Sequence, residues 1–403
     1  MSQDQLQDQL APAFDVHAAR AQFPALAEGL AHFDGPGGTQ VPETVSEAMR
    51  TALRSAVSNR HGPFASSVRA DAYVDAAREA VADLVGGDPR GVVLGQSTTA
   101  NNYVLASALV KQWGPGDEVV VSRLDHDSNI RPWVQAAGRA GATVRWAEVD
   151  PVTTELPVEQ YDALVNERTK LVALTAASNA TGTRPDVRAV AERAHAVGAL
   201  VHVDGVHATP HGAVDLRVSA ADFWATSAYK WYGPHLGATV ADPALLETLH
   251  PDKLLPSTED VPDRFELGTP AFAQLAGVAA AVEWLATWGA GGSRRERVTS
   301  GVAEIARHEH AMFHRLQDGL AARDDVTVIG APASRTPTIA FTVGGRTPQQ
   351  VAERLGARGV CVWAGHYYAL ELMQVLGLPD GAVRAGIACY TTPDDVDRLL
   401  EAL

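Results

Sequence analysis

Short apolar runs alternate with amphipathic stretches through the middle of the chain. Val92–Gly95, Glu118–Ser122, Thr143–Val149, Leu171–Ser178, Leu200–Asp204 and Phe223–Ala228 are short runs rich in valine, leucine and alanine. Runs of this length and composition read as strands. Between them, helical patterns cover about Thr99–Gln112, Asn129–Ala140 and Pro185–Val197, and two more precede them at about Glu43–Val57 and Arg69–Val85. Strands alternating with helices predict an α/β fold with a mostly parallel sheet covered on both faces. In such sheets ligands bind beyond the carboxyl ends of the strands, so the residues just after each run are the first candidates for chemistry.

The pattern changes after about Ala290. A long helical stretch runs from about Arg294 to Ala322. Shorter strands come next at Val326–Gly330, Thr338–Val343, Gly359–Ala364 and Val383–Tyr390, with helices near Pro348–Gly356, His366–Leu376 and Pro393–Leu403. The Gly289–Ser293 stretch, GAGGS, reads as the boundary. The expected organisation is an N-terminal arm and part of a small domain over residues 1–60, a large domain over 61–290, and a smaller α+β domain over 291–403. Residues 1 to about 20 read as a loose arm. Phe33–Pro42, FDGPGGTQVP, holds too many glycines for a helix or a central strand and reads as a loop of special backbone geometry.

Composition narrows the classes. The 403 residues are 46% hydrophobic and 20% charged, an ordinary globular balance. A net charge of −15 argues against nucleic acid or an anionic membrane as partner. The N-terminus has neither a basic start nor a long apolar stretch, and Pro270–Gly292 reads as a buried helix rather than a membrane span. The expectation is a cytoplasmic protein. Two cysteines, Cys361 and Cys389, allow neither a disulfide framework nor a cysteine-rich zinc module. All but four of the 33 basic residues are arginine, so side-chain amine chemistry has only Lys111, Lys170, Lys230 and Lys253 to use.

Two strand ends carry the strongest signal. Asp204 closes the run LVHVD, and Lys230 comes just after the run Phe223–Ala228, 26 residues downstream. Taken alone, Asp204 caps a turn, holds a metal with His202 and His207, or fixes a protonated ring nitrogen. A lysine set between Tyr229 and Trp231 is poorly placed as a solvated charge, and desolvation frees its amine for Schiff-base chemistry. A lysine and a carboxylate in this order match what pyridoxal phosphate requires, an amine for its aldehyde and an anion for its pyridine nitrogen. Thr98 and Thr99 open a helix just after a strand, where backbone N–H groups would cradle a phosphate. His126, after Glu118–Ser122, could stack on the ring, and Asn179, after the Leu171 run, could reach the ring hydroxyl or the substrate.

The ordered set Thr98-Thr99, His126, Asn179, Asp204-x-x-His207 and Ser227-x-x-Lys230 resembles the fold-type I pyridoxal-phosphate enzymes of the class V aminotransferase group, above all cysteine desulfurases and selenocysteine lyases. The likeness runs from about Phe33 to Leu403. Asn59-Arg60-His61-Gly62 resembles a family motif near the mouth of the site, and Arg264-Phe-Glu266-Leu-Gly268-Thr269-Pro a segment whose threonine reaches the phosphate of a partner subunit. The resemblance implies that Lys230 forms the internal aldimine and shuttles the proton, with His126 stacked on the ring. It implies that Asp204 pairs with the pyridinium, and that Asn179 and His207 sit near the ring hydroxyl. Thr98, Thr99, Ser227, Tyr229 and the partner's threonine at position 269 would hold the phosphate. Arg384 would grip the substrate α-carboxylate, and His61, Trp363, Tyr367 and Tyr368 would line the substrate side. It also implies a homodimer with a shared active site.

Three positions depart from the pattern. Desulfurases of this group carry a nucleophilic cysteine in a loop reading G-H-x-C-A, whereas this chain reads Gly365-His366-Tyr367-Tyr368-Ala369. Trp363 stands where an arginine is frequent, and Tyr229 where a histidine is frequent. Persulfide formation needs a reachable thiolate, and Cys361 and Cys389 both read as small apolar strand residues. The expected activity is therefore that of a desulfurase-like enzyme acting on an amino acid through an external aldimine and quinonoid, most simply a β-eliminating C–S lyase. An aminotransferase, an epimerase or a desulfurase using a displaced cysteine are the alternatives. A metal-dependent hydrolase built on His202, Asp204, His207 and His211 would leave Lys230 and Arg384 without roles.

Overall fold

A computed structural model describes residues 14–403. The first thirteen residues of the expected arm lie outside the described residues. The rest of the arm forms a short helix, Val16–Arg20, capped by the Asp15 carboxylate and tied by Arg20 to Asp395 at 2.8 Å.

Seven strands form the large sheet: β1 (Val92–Gly95), β2 (Glu118–Ser122), β3 (Thr143–Ala147), β4 (Thr169–Thr175), β5 (Leu200–Asp204), β6 (Phe223–Ser227) and β7 (Gly237–Ala241). Their order is β1-β7-β6-β5-β4-β2-β3, with β7 antiparallel to both neighbours and the other pairs parallel. Six of these strands are legible as apolar runs. β7 is not, because GATVA is short and small-residue rich, and what makes it a strand is its pairing with β1 and β6. Both faces of the sheet are covered, one packed on Trp133, Leu105 and Ile130, the other on Val74, Val190 and Val282. The apolar stretch Phe272–Ala286 is a buried helix of the second face. No helix among the described residues is long and apolar enough to cross a membrane.

The C-terminal part carries a four-stranded antiparallel sheet from β8 (Val326–Ile329), β9 (Thr338–Val343), β10 (Trp363–Gly365) and β11 (Ala382–Gly386), in the order β10-β11-β9-β8. The helix Arg294–Ala321 starts at Ser293 with a reciprocal cap to Glu296. Its first half packs Val298, Val302 and Ile305 into the large-sheet core, and its second half packs Phe313, Leu316 and Leu320 under the small sheet.

Three expectations change here. The run Gly359–Ala364 is two elements: Val360–Cys361 pairs in parallel with Ala31–His32, and β10 turns into the small sheet. The run Val383–Tyr390 is a strand only to Gly386. The helix expected from His366 begins at Leu370, because Tyr367 and Tyr368 both have left-handed backbones, with φ of 52° and 58°. Consecutive left-handed aromatic residues are strained and persist only when their surroundings hold them.

Candidate active site

The carboxyl ends of β2, β4, β5 and β6 open into one cleft of about 760 Å3, closed on the other side by the Gly-rich loop and by the loop between β10 and β11. The structure brings together Thr98, Thr99, His126, Asn179, Asp204, His207, Ser227, Tyr229, Lys230, Trp363, Tyr367, Tyr368 and Arg384 on its walls.

The anion end is built by close approach. Ser97 caps the helix Thr98–Leu109 by accepting the Ala100 N–H at 3.1 Å. Thr98 Oγ1 lies 2.7 Å from Ser227 Oγ and donates to the Thr226 carbonyl at 2.9 Å. A Cβ at Gly237 would fall 2.3 Å from the Thr98 nitrogen, so only glycine in β7 lets the helix start this near to β6. The result is a helix N-terminus with two hydroxyls beside it, a suitable phosphate cradle.

The middle of the cleft holds the titrating groups. Lys230 ends the turn Ala228–Lys230, and its ammonium donates to the Pro36 carbonyl of the Gly-rich loop. Burial lowers its pKa to about 7, with Arg384 adding to the shift and Asp204 opposing it. Burial raises Asp204 to about 6, against the Val206 N–H that its Oδ1 accepts at 2.9 Å and against the Lys230 charge. Burial lowers His126 to about 4, helped by Lys230 and Arg384, so its imidazole is neutral. Its Nδ1 accepts from the Ser128 N–H at 3.1 Å, which fixes the ring plane. His207 is pushed well below its ordinary pKa, chiefly by burial, and its Nε2 lies 3.0 Å from Thr338 Oγ1.

The opposite end of the cleft is closed by the β10–β11 loop. Arg384, on β11, donates to the Asn179 carbonyl at 2.7 Å, and its guanidinium lies 4.2 Å above the Tyr367 ring. Tyr368 stacks on His126 at 5.3 Å, with planes 29° apart. Asn179 Nδ2 donates to the Tyr367 carbonyl at 2.8 Å, and Asp127 N to the Tyr368 carbonyl at 2.7 Å, so the large sheet holds the strained loop.

Two predicted residues lie elsewhere in the chain. His61 is 70% exposed, rests beside Asp71 and does not line the cleft. Thr269 is exposed and lines a separate hollow of about 500 Å3 behind β1, with Gly95, Gln96 and His235. Tyr229 lines the cleft, with its ring stacked on His235 at 4.7 Å. The wall also includes Pro36, Tyr103, Ser128, Arg131 and His366, which sequence reasoning does not single out. Pro36 has a signal in the glycine-rich composition of its loop, and His366 in the Gly365–Ala369 stretch compared above with the desulfurase loop. The histidines considered for a metal diverge: the His202 ring packs against Trp133 at 4.8 Å, and His211 Nδ1 pairs with Glu309 at 2.7 Å. Neither cysteine lines the cleft. Cys361 is half-buried in the short parallel strand pair with Ala31–His32, and Cys389 is buried, its N–H donating to the Tyr232 hydroxyl at 3.1 Å.

The model for the family "Aminotransferase class-V" matches residues 31–399. The chain belongs to that family. A probable cysteine desulfurase of Pseudomonas aeruginosa is 35% identical to this family member, covering 95% of its chain and 96% of the relative. An aminotransferase-like protein of Gibberella zeae is 32% identical, covering 97% and 98%. The crystal structure of the cysteine desulfurase CsdA of Escherichia coli superposes with a TM-score of 0.85 at 29% identity, covering 97% and 98%. This family member is a cysteine desulfurase-like, pyridoxal-phosphate-dependent enzyme of fold type I. The cleft fits that cofactor on its own terms: a lowered amine, a buried carboxylate, a neutral ring for stacking and a hydroxyl-flanked helix N-terminus converge in it. Asn179 Oδ1 and Arg384 Nε are buried without a partner, the state expected of polar atoms that await a ligand.

Proposed function

We propose that the enzyme removes a leaving group from the β-carbon of an amino acid, most simply a thiol from an S-substituted cysteine, without using an enzyme thiol. The observation that carries this reading is the absence of both cysteines from the cleft wall, together with Tyr368 in the loop where desulfurases carry their nucleophile. The overall reaction takes the S-substituted cysteine and water to a thiol, pyruvate and ammonium. The C–S bond breaks with its electron pair leaving on sulfur, and no oxidant or reductant is needed.

Pyridoxal phosphate, when bound, supplies an aldehyde for the substrate amine and an electron-withdrawing ring that stabilises a carbanion at the α-carbon. Lys230 would hold it covalently, Asp204 would keep its ring nitrogen protonated, His126 would stack on it, and Thr98 and Ser227 would take its phosphate. Arg384 would bind the substrate carboxylate as a bidentate partner. Burial lowers the Lys230 amine to about 7, near neutral pH, so it can take the α-proton and return one. A neutral His126 adds no competing charge beside that proton. The aromatic wall of Trp363, Tyr367 and Tyr368 offers the substituent an apolar surface.

The test is product identification with S-substituted cysteines. Wild type and the double variant Cys361→Ala/Cys389→Ala are expected to release thiol, pyruvate and ammonium at similar rates, and Lys230→Ala to lose at least about 100-fold. Loss of sulfur release in the double variant, or amino transfer to an added 2-oxo acid in place of ammonium release, would overturn the reading.

A further inference from the structure

Glu309 is fully buried at 0% exposure in the middle of the helix that spans both cores, and none of the proposed chemistry uses it. An isolated carboxylate there would be costly, so its partners matter. Its Oε2 accepts from His211 Nδ1 at 2.7 Å and its Oε1 from the Tyr232 hydroxyl at 3.3 Å. Each partner leads to the cleft. The His211 ring packs edge-on to His207 at 5.3 Å, and His207 lines the cleft. Tyr232 stands two residues past Lys230 with φ of 69°, a left-handed backbone that an aromatic residue adopts only under constraint.

Hydrogen bonds supply the constraint. The Tyr232 N–H donates to Thr39 Oγ1 at 3.0 Å, its hydroxyl accepts the Cys389 N–H at 3.1 Å while donating to Glu309, and Gly233 N closes the turn onto the Ala228 carbonyl at 2.9 Å. Two further titratable groups face the pair: Arg184, which donates to the His211 carbonyl at 2.8 Å, and the half-buried His310 next to Glu309 on the same helix. Lys230 therefore sits on a turn whose far end is strained and pinned to the helix that joins the two cores.

We infer that Glu309 is a positioning residue, locking the Tyr232 end of the lysine turn and the His211 support of His207, and so setting where the Lys230 amine stands in the cleft. This rests on the reading that Lys230 holds the cofactor. The experiment compares wild type, Glu309→Leu, Glu309→Gln and Tyr232→Phe. In the holoenzyme it reads the pH midpoint of the visible Schiff-base band and the split between kcat and KM. In the apoenzyme it reads the pH dependence of Lys230 acetylation against Lys111, Lys170 and Lys253 as internal references. Wild-type Lys230 is expected to label with a midpoint near 7. Glu309→Leu is expected to raise that midpoint by about one pH unit as the turn relaxes and the amine hydrates. It is also expected to lower kcat by about tenfold, with a smaller change in KM. Glu309→Gln keeps an acceptor for Tyr232 and restores most of both, and Tyr232→Phe shifts them the same way by less. Variants that lose thermal stability while both midpoints and kcat stay at wild-type values would overturn the inference. Should Glu309→Leu not fold, Glu309→Gln and Tyr232→Phe decide it. A visible Schiff-base band that survives in Lys230→Ala would instead defeat the lysine assignment.

Discussion

Thr98 Oγ1 and Ser227 Oγ lie 2.7 Å apart, although 129 residues separate them in the chain. One hydroxyl opens the helix after β1 and the other ends β6, so the contact brings two distant parts of the chain together at one end of the cleft. Thr98→Val and Ser227→Ala are each expected to weaken pyridoxal-phosphate binding by about 1.5–3 kcal/mol, the range for hydrogen bonds to a charged group. The double variant should lose less than the sum, because the two groups touch. Titration of the apoenzymes with the cofactor measures all three.

Asp204 has the opposite balance of stability and function. Its carboxyl is lifted to about 6 from an ordinary value near 4. Between those values the folded apoenzyme binds more protons than the unfolded chain, so its stability falls as pH rises through that window. Asp204→Asn removes the cost while its amide oxygen can still accept the Val206 N–H. The variant apoenzyme is expected to exceed wild type by up to about 3 kcal/mol at pH 7, the gap closing toward pH 4, while losing cofactor-dependent activity. Urea unfolding at several pH values reads the gap; a constant difference across pH would refute its origin in this carboxyl.

His126 is neutral over the working range because burial lowers it to about 4. It would therefore act through its ring plane rather than as an acid. Replacement by Phe should keep cofactor affinity within a few fold, whereas Ala should cost about 1 kcal/mol of stacking. The pH profile of kcat/KM should have no limb that disappears in His126→Phe.

The left-handed Tyr368 separates side chain from backbone. Its side chain is exposed, while its backbone conformation favours glycine. Tyr368→Gly is expected to be more stable than Tyr368→Ala by about 1 kcal/mol, although both remove the same ring. Thermal melts of the pair test this, and equal melting temperatures would show that the backbone is not strained.

Thr269 stands in a hollow behind β1, away from the cleft of its own chain. If it completes the site of a second copy, Lys230→Ala and Thr269→Ala proteins, each weak alone, should regain activity on mixing and subunit exchange. A mixture no more active than its parts would rule out the shared site.

Much of this site is legible in the order of residues along the chain. In a parallel sheet ligands bind beyond the carboxyl ends of the strands, so His126, Asn179, Asp204 and Lys230 stand out at or just after the ends of β2, β4, β5 and β6 from local apolar runs alone. The loop holding Tyr367 and Tyr368 has a helical sequence pattern, yet its conformation is imposed by Asn179 and Asp127, residues remote in sequence. The same cause hides β7, whose pairing with β1 and β6 outweighs its weak local preference.

The amino-acid sequence by itself determined the alternation of strands and helices, the lysine and carboxylate that follow two of the strands, and a Gly365–Ala369 stretch that holds no cysteine. Those properties depend on residue identity and short-range periodicity. Only the tertiary structure decided that Pro36 meets the lysine, that neither cysteine lines the cleft, and that a buried Glu309 ties the lysine turn to the joint between the two cores. Each of these is a contact across long stretches of chain. Such contacts arise from packing two cores against one another, which no local pattern encodes.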